Sequence, residues 1–163
     1  MNIINGMPAH ALLLHAVLVL VPLIALLEIV CGLWPAARRG HVLWLTLILA
    51  VVNMVLTPIT IDAGEWLYGL RSNPSPILRE HAERGSLMVY FSAALLAAAV
   101  ALVIMRVLES RSDKGRIATR IIIAIIVLAV SISSLVQIYR VGDAGAQSVW
   151  GGEIARLTKN HPG

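Results

Sequence analysis

The sequence predicts an all-α integral membrane protein built as an antiparallel four-helix bundle. Hydrophobic residues make up 58% of the 163 residues and charged residues only 13%, whereas soluble domains are about half apolar and about a quarter charged. The mean hydropathy is +0.83, and four apolar runs each have about the 20 residues that a helix needs to cross the bilayer. The runs lack the alternation of apolar and polar residues that a membrane β-barrel shows, so they must form helices, which satisfy the backbone hydrogen bonds internally in lipid.

The predicted elements form a single domain over residues 1–163, with helices at roughly 9–33, 42–61, 76–108 and 117–140 and a tail at 141–163. The short connection at 34–41 makes the first two helices antiparallel neighbours. Ser75 is predicted to cap the third helix, because Pro76 suits a first turn. The N-terminus lacks a basic region, so we expect the first helix to be retained. The glycines of the tail predict a turn followed by a short surface helix.

The charges predict an orientation and exclude one class of partner. The net charge is +4, but no basic patch alternates with aromatic residues, which argues against nucleic acid. Seven Lys or Arg lie in or beside the first and third connections. The positive-inside rule therefore places these connections in the cytoplasm and both termini outside. The expected partners are the lipid bilayer and other membrane protein subunits.

Polar side chains gather at the predicted outer end of all four helices. They are His10 and His15 in the first helix, Asp62 and Glu65 after the second, Glu80, His81 and Glu83 in the third, and Ser131, Ser134 and Gln137 in the fourth. Helix bundles build metal and cofactor sites from such groups on facing helices. Imidazole and carboxylate suit zinc, copper, iron or haem iron.

Two kinds of cofactor fit this set of residues. His15 and His81 are the expected axial ligands of a haem b, with Met88, two turns beyond His81, as an alternative axial group. For a transition-metal ion the candidates are His10, His15, Asp62 and His81. His10 and His15 are about 140° apart around a straight helix, so both face one ion only if the first turn distorts. Hydrogen bonding between helices for the histidines, and solvation for Asp62, are the competing interpretations.

Two further patterns concern the interior. Glu28 lies about a turn and a half inside the cytoplasmic end of the first helix. We expect it to pair with Arg38, the headgroups or a group within the bundle, and a role in proton movement is the alternative. Ala93, Ala97 and Ala101 recur at four-residue spacing, which predicts that the third helix packs centrally.

Several of these residues together resemble a bacterial family of small four-helix membrane proteins, domain of unknown function 2231. The family's first helix opens with a glycine, a proline and paired histidines, and the matching residues here are Gly6, Pro8, His10 and His15. Ala11 stands where the family usually has a proline. Further matches are Glu28, Asp62, His81 and the glycine-rich segment 141–152. The resemblance implies a four-span membrane domain without an assigned activity, and its paired histidines suggest haem or metal.

We therefore expect a protein of the bacterial inner membrane that holds haem b or a transition metal at its outer end and serves electron transfer or metal handling. We do not expect it to be an enzyme by itself. The alternative is a structural or accessory subunit of a larger membrane complex. No nucleophile–base arrangement or phosphate-binding glycine loop is present, which argues against hydrolase or kinase chemistry.

Overall fold

The computed structural model describes residues 3–4, 6–111 and 117–160, and these are almost entirely helical. The helices are α1 (Ala9–Leu33), α2 (Pro35–Arg39), α3 (His41–Gly69), α4 (Pro76–Ser86), α5 (Met88–Arg111) and α6 (Ile117–Asn160). Before α1, the two-residue strands β1 (Ile3–Ile4) and β2 (Met7–Pro8) pair antiparallel around Gly6, whose φ is +80°. The predicted all-α class is confirmed.

Four stretches of the described chain are long and apolar enough to cross a membrane. They are Ala9–Leu33, His41–Gly69, Pro76–Ser110 and Ile117–Gly152. Large apolar side chains cover the outside of these helices, among them Val55 and Ile125, which are 56% and 61% exposed. In water such a surface would be costly, whereas in lipid it is matched to its surroundings. The chain is a multi-pass membrane protein, and the bilayer is the environment of its spans.

The four long helices form a ring in which α1 packs against α3 and α6, and α5 closes the ring between them. We call the end that holds α2 the inner end and the end with Ala9 and Gly69 the outer end. Two groups of buried side chains fill the interior. The outer core cluster comprises Val17, Val21, Ile24, Ala25, Ala50, Met88, Leu95, Ala99, Ile138 and Val141. The inner core cluster comprises Cys31, Leu43, Ala98, Leu102, Met105 and Val127.

The alanine pattern of the third predicted helix is turned differently from the prediction. Ala93 and Ala97 are exposed on α5, and the neighbouring Ala98 and Ala99 enter the two core clusters. Several apolar residues surround each of these alanines along the helix, so spacing alone did not fix which stripe faces inward.

The helix ends also differ from the prediction. The second helix, predicted at 42–61, continues as α3 to Gly69, and the third is divided at Leu87 into α4 and α5. The predicted turn in the tail is wrong, because α6 is continuous to Asn160. Gly142 shows why: a Cβ there would lie 3.3 Å from Cδ2 of Leu18. This glycine allows close packing of α1 on α6 rather than a turn.

Guanidinium groups close the inner end. Arg38 is 2% exposed; its Nη1 donates to the carbonyl of Cys31 at 2.5 Å, and its Nη2 forms an ion pair with Glu109 at 2.6 Å. Arg106 donates to the carbonyl of Arg39 at 2.6 Å. The last carbonyls of α1 and α2, which a helix leaves without intrahelical partners, are therefore satisfied by side chains.

The length of α6 gives the depth of each residue that contacts it. Arg120 approaches Glu109 at 3.3 Å and marks the inner end. Ser131 lies about 16 Å farther along the helix and Val141 about 31 Å farther, at 1.5 Å per residue. The hydrocarbon layer is about 30 Å thick. Measured along the axis of α6 from Arg120, Ser131 therefore lies at about half of that thickness and Val141 at about the whole of it.

Candidate functional site

Two histidines from different helices meet at the outer end. His10 is the second residue of α1, and His81 lies in the second turn of α4. Their ring centroids are 6.2 Å apart, with an edge-on angle of 78° between the ring planes. His81 is buried and His10 half-buried. The pair is therefore sheltered within the outer end of the bundle.

Each ring is held through Nδ1 by a backbone carbonyl of a neighbouring helix. Nδ1 of His10 is 2.9 Å from the carbonyl oxygen of Thr60, and Nδ1 of His81 is 3.0 Å from that of Val141. A carbonyl oxygen can only accept, so Nδ1 carries the hydrogen in both rings. In the neutral ring, Nε2 then holds the free lone pair, which is the form that binds a metal.

A glycine stands one turn after each of these carbonyls and makes room for the ring. A Cβ on Gly64 would lie 2.8 Å from both Nδ1 and Cε1 of His10. A Cβ on Gly145 would lie 3.0 Å from Cε1 of His81. We call this arrangement, which occurs twice, the histidine–glycine joint. Gly64 was not predicted to have a role and Gly145 was predicted to lie in a turn, although a glycine inside an apolar helix is itself a signal of close approach.

The other predicted ligands lie elsewhere. His15 is exposed, and its Nδ1 is 2.5 Å from the carbonyl oxygen of Ala11 in its own helix. Asp62 is exposed, and Met88 is buried in the outer core cluster. Within the described chain, no hydrogen bond or ring contact joins any of these three to His81. The ring next to His81 is that of His10, and the 140° between His10 and His15 turns His15 away from the same point.

Polar contacts between α4 and α6 fix the position of His81. Gln137 donates through Nε2 to the carbonyl of Arg84 at 3.0 Å, and Arg84 donates to the carbonyl of Arg140 at 3.4 Å. Arg84 also forms an ion pair with Glu80 one turn earlier. The predicted cap is confirmed, because Oγ of Ser75 accepts from the amide of Leu78 at 3.3 Å. These bonds dock α4, and with it the imidazole, on the outer half of α6.

The distance between the two rings limits how they could share a metal ion. Zinc lies about 2.0–2.1 Å from a histidine nitrogen, which puts a ring centroid about 3.2 Å from the ion and two centroids at most about 6.4 Å apart. The observed 6.2 Å is just below that limit, so the two nitrogens would have to approach an ion from nearly opposite sides, whereas a tetrahedral angle would put the centroids about 5.2 Å apart. In the part of the chain that the structure describes, no group of three or more His, Cys, Asp or Glu could hold a metal. The described residues therefore offer two imidazoles, and water would complete the coordination.

A haem fits the pair less well. A groove of about 470 Å³ runs between α1 and α6, and its lining residues are Leu18, Pro22, Leu135, Ile138, Tyr139, Gly142, Asp143 and Ala146. His10 and His81 are not among them. A porphyrin coordinated by both rings would therefore have to part helices that are in contact.

Polar side chains also lie inside the bundle. Oγ of Ser131 donates to Oε2 of Glu28 at 3.0 Å, so Glu28 pairs within the bundle, whereas Arg38 is bonded to Glu109. Nδ2 of Asn53 donates to Oγ of Ser92 at 3.0 Å and links α3 to α5.

No protein-family model, curated protein or solved structure matches the chain, so its function is inferred from its geometry.

Proposed function

We propose that this chain is a protein of the bacterial inner membrane that binds one transition-metal ion between His10 and His81, for metal handling or electron transfer. One observation carries the proposal: both Nδ1 atoms are bonded to carbonyls, which leaves two Nε2 lone pairs on rings 6.2 Å apart. Imidazole is a ligand for copper, zinc, nickel and iron. The paired histidines of domain of unknown function 2231, which this sequence resembles, agree with it.

The chain's own residues orient and expose the two lone pairs. The carbonyls of Thr60 and Val141 fix the tautomer and make each imidazole a stronger ligand. The histidine–glycine joints let the rings lie directly on the backbone of α3 and α6. A bound copper or iron ion would supply one-electron chemistry at this boundary, and a zinc ion would not.

Haem b is the second candidate, because a six-coordinate haem needs only two protein ligands, the number that the described residues bring together. It would need α1 and α4 to separate around the porphyrin. An absorbance spectrum of the purified protein, oxidised and reduced, distinguishes the two, since haem gives a Soret band and a bound ion does not.

Metal loading of purified variants tests the site. We expect one metal ion per chain by elemental analysis, and at least tenfold weaker binding in His10→Ala and in His81→Ala, the effect of about 1.4 kcal/mol. His15→Ala is the matched control, because His15 lies on the same helix but is exposed. A protein without metal or Soret band, or one that loses its metal only in His15→Ala, would contradict the proposal.

The proposed orientation puts the inner end in the cytoplasm. It is supported by Arg38, Arg39 and Arg106 at the short inner connection and by the positive-inside rule. In a Cys31→Ala background, Ser72→Cys should react with an impermeant maleimide added to whole cells, and Ala36→Cys should not. Labelling of residue 36 from outside would reverse the orientation.

An accessory role in a larger complex is favoured by a different observation. Ala93 and Ala97 are exposed on α5, and small residues on a lipid-facing helix allow another membrane helix to approach closely. Native electrophoresis of membranes would show a complex that Ala97→Leu disrupts and that His81→Ala leaves intact. Migration of the wild-type chain as a monomer would exclude this role.

A further inference from the structure

A second ionisable group lies deep in the bundle, away from the histidines. Glu28 is on α1, and no part of it is exposed. Along the helix it falls between Ala25 of the outer core cluster and Cys31 of the inner core cluster. It lies five residues before Leu33, the last residue of α1, which is about 8 Å from the inner end of that helix, as the sequence predicts. A carboxyl at this depth is costly unless it has a function or a counter-charge.

The described surroundings provide no counter-charge. Oε2 of Glu28 accepts one hydrogen bond, from the hydroxyl of Ser131, and the buried Oε1 has no partner. Glu109 is the internal comparison: it is also buried, but Arg38 lies 2.6 Å from its Oε1 and Arg120 lies 3.3 Å from it. The same fold thus surrounds one buried carboxylate with two guanidinium groups and leaves the other with a single neutral donor.

The helices packed against Glu28 bring few titratable groups near it. Cys31 follows one turn later on α1, and Arg38 of α2 is bonded to Glu109 of α5. The middle of each neighbouring helix contains no titratable residue. These stretches are 42–61 in α3, 91–105 in α5 and 121–138 in α6. An ionised carboxylate would have to be neutralised from these helices. Those stretches provide no positive charge for this, and an apolar site favours the neutral acid.

We propose that Glu28 is a proton-binding site inside the membrane-spanning bundle, with Oε1 as the atom that takes up and releases the proton. Buried hydroxyl and amide groups continue from it toward the outer end on one face of α6: Ser131, Ser134 and Gln137. On the inner side, the Arg38–Glu109 ion pair closes the bundle. The proton therefore exchanges with outer water along this face. Only a proton moves, and the site does not depend on a metal at the histidines.

A lipid-soluble carbodiimide tests the site in the whole protein. The reagent adds to a protonated carboxyl: the acid proton moves to a carbodiimide nitrogen, an oxygen bonds to the central carbon, and the adduct rearranges to a stable N-acylurea. We expect peptide mass spectrometry to find the adduct on Glu28 at pH about 6, at least tenfold less at pH about 10, where carboxyls ionise, and none on the ion-paired Glu109. No variant is needed for this assignment.

An infrared measurement provides the second readout. The carbonyl stretch of a protonated carboxyl should be present in the wild type, shift in D₂O, and be absent in Glu28→Gln, whose amide reproduces the shape of the neutral acid. Glu109→Gln is the control and should keep the band. An unmodified Glu28 at pH about 6, or a band that survives in Glu28→Gln, would overturn the proposal. Protection of Glu28 by sodium ions at constant pH would also overturn it, because it would identify a metal-cation site.

Discussion

Replacing Gly64 with alanine should damage the site through a single methyl group. The added Cβ would lie 2.8 Å from Nδ1 and Cε1 of His10, whereas non-bonded carbon atoms prefer about 3.5–4.0 Å. The ring must therefore retreat by about 0.7 Å, which lengthens its 2.9 Å bond to Thr60 to as much as about 3.6 Å, beyond hydrogen-bond range.

The free energies decide the sign of the change. The lost hydrogen bond costs about 1 kcal/mol and overpacking adds about 2 kcal/mol, while alanine in a helix returns about 1 kcal/mol over glycine. We expect a net loss of about 2 kcal/mol and weaker metal binding. The matched control is Gly69→Ala in the same helix, where nothing lies within 4 Å of the new Cβ, so this substitution should be neutral or stabilising.

Thermal unfolding in one detergent, with and without metal, measures both effects. At about 2–4 °C per kcal/mol for a chain of this size, Gly64→Ala should melt several degrees below Gly69→Ala. Gly145→Ala should have a smaller effect, because its closest approach to His81 is 3.0 Å. If Gly64→Ala melts with Gly69→Ala and binds metal normally, the account of the joint is wrong.

Three other predictions concern the remaining contacts. Glu109→Gln leaves the buried Arg38 without its counter-charge and should lower the free energy of unfolding by about 3 kcal/mol. Glu80→Gln, in a half-exposed pair one helical turn apart, should change it by less than about 0.5 kcal/mol. Urea unfolding in mixed micelles compares the two variants. Ser92→Ala removes the link between α3 and α5 and should lower the free energy of unfolding by about 0.6–1.7 kcal/mol. Ser133→Ala, at an exposed position, should change it by less than about 0.5 kcal/mol. Equal losses in the same assay would show that the link does not stabilise the protein. Metal at a hundred times its dissociation constant should stabilise the wild type by about 2.7 kcal/mol, and a chelator should remove this gain in melting scans; a gain that persists without the histidine pair would place the metal elsewhere.

The helices were predictable because lipid demands them, whereas the partners of each polar residue were not. An apolar run of about 20 residues has few alternatives to a spanning helix. The gathering of His10 and His81 at one end followed from their positions along the spans. Which histidine of α1 turns inward depends on the rotation of that helix, and two residues 140° apart leave that choice open. Packing against Gly64 settles it.

The continuity of α6 could not be predicted because of its glycines. Composition associates Gly142 and Gly145 with a turn, since glycine is a poor helix former in isolation. Contact with Leu18 and His81 outweighs that propensity. Local preference is a weak guide wherever two helices approach closely.

The length of α6 also affects what can reach the two histidines proposed as metal ligands. The helix continues fifteen residues past Gly145 to Asn160, which is about 22 Å at 1.5 Å per residue, beyond the level of the two imidazoles. A hydrated ion passes such a helix without hindrance, whereas a folded donor protein meets it first. For the proposed metal site, delivery by diffusion from solution is thereby favoured over direct transfer from a bulky carrier.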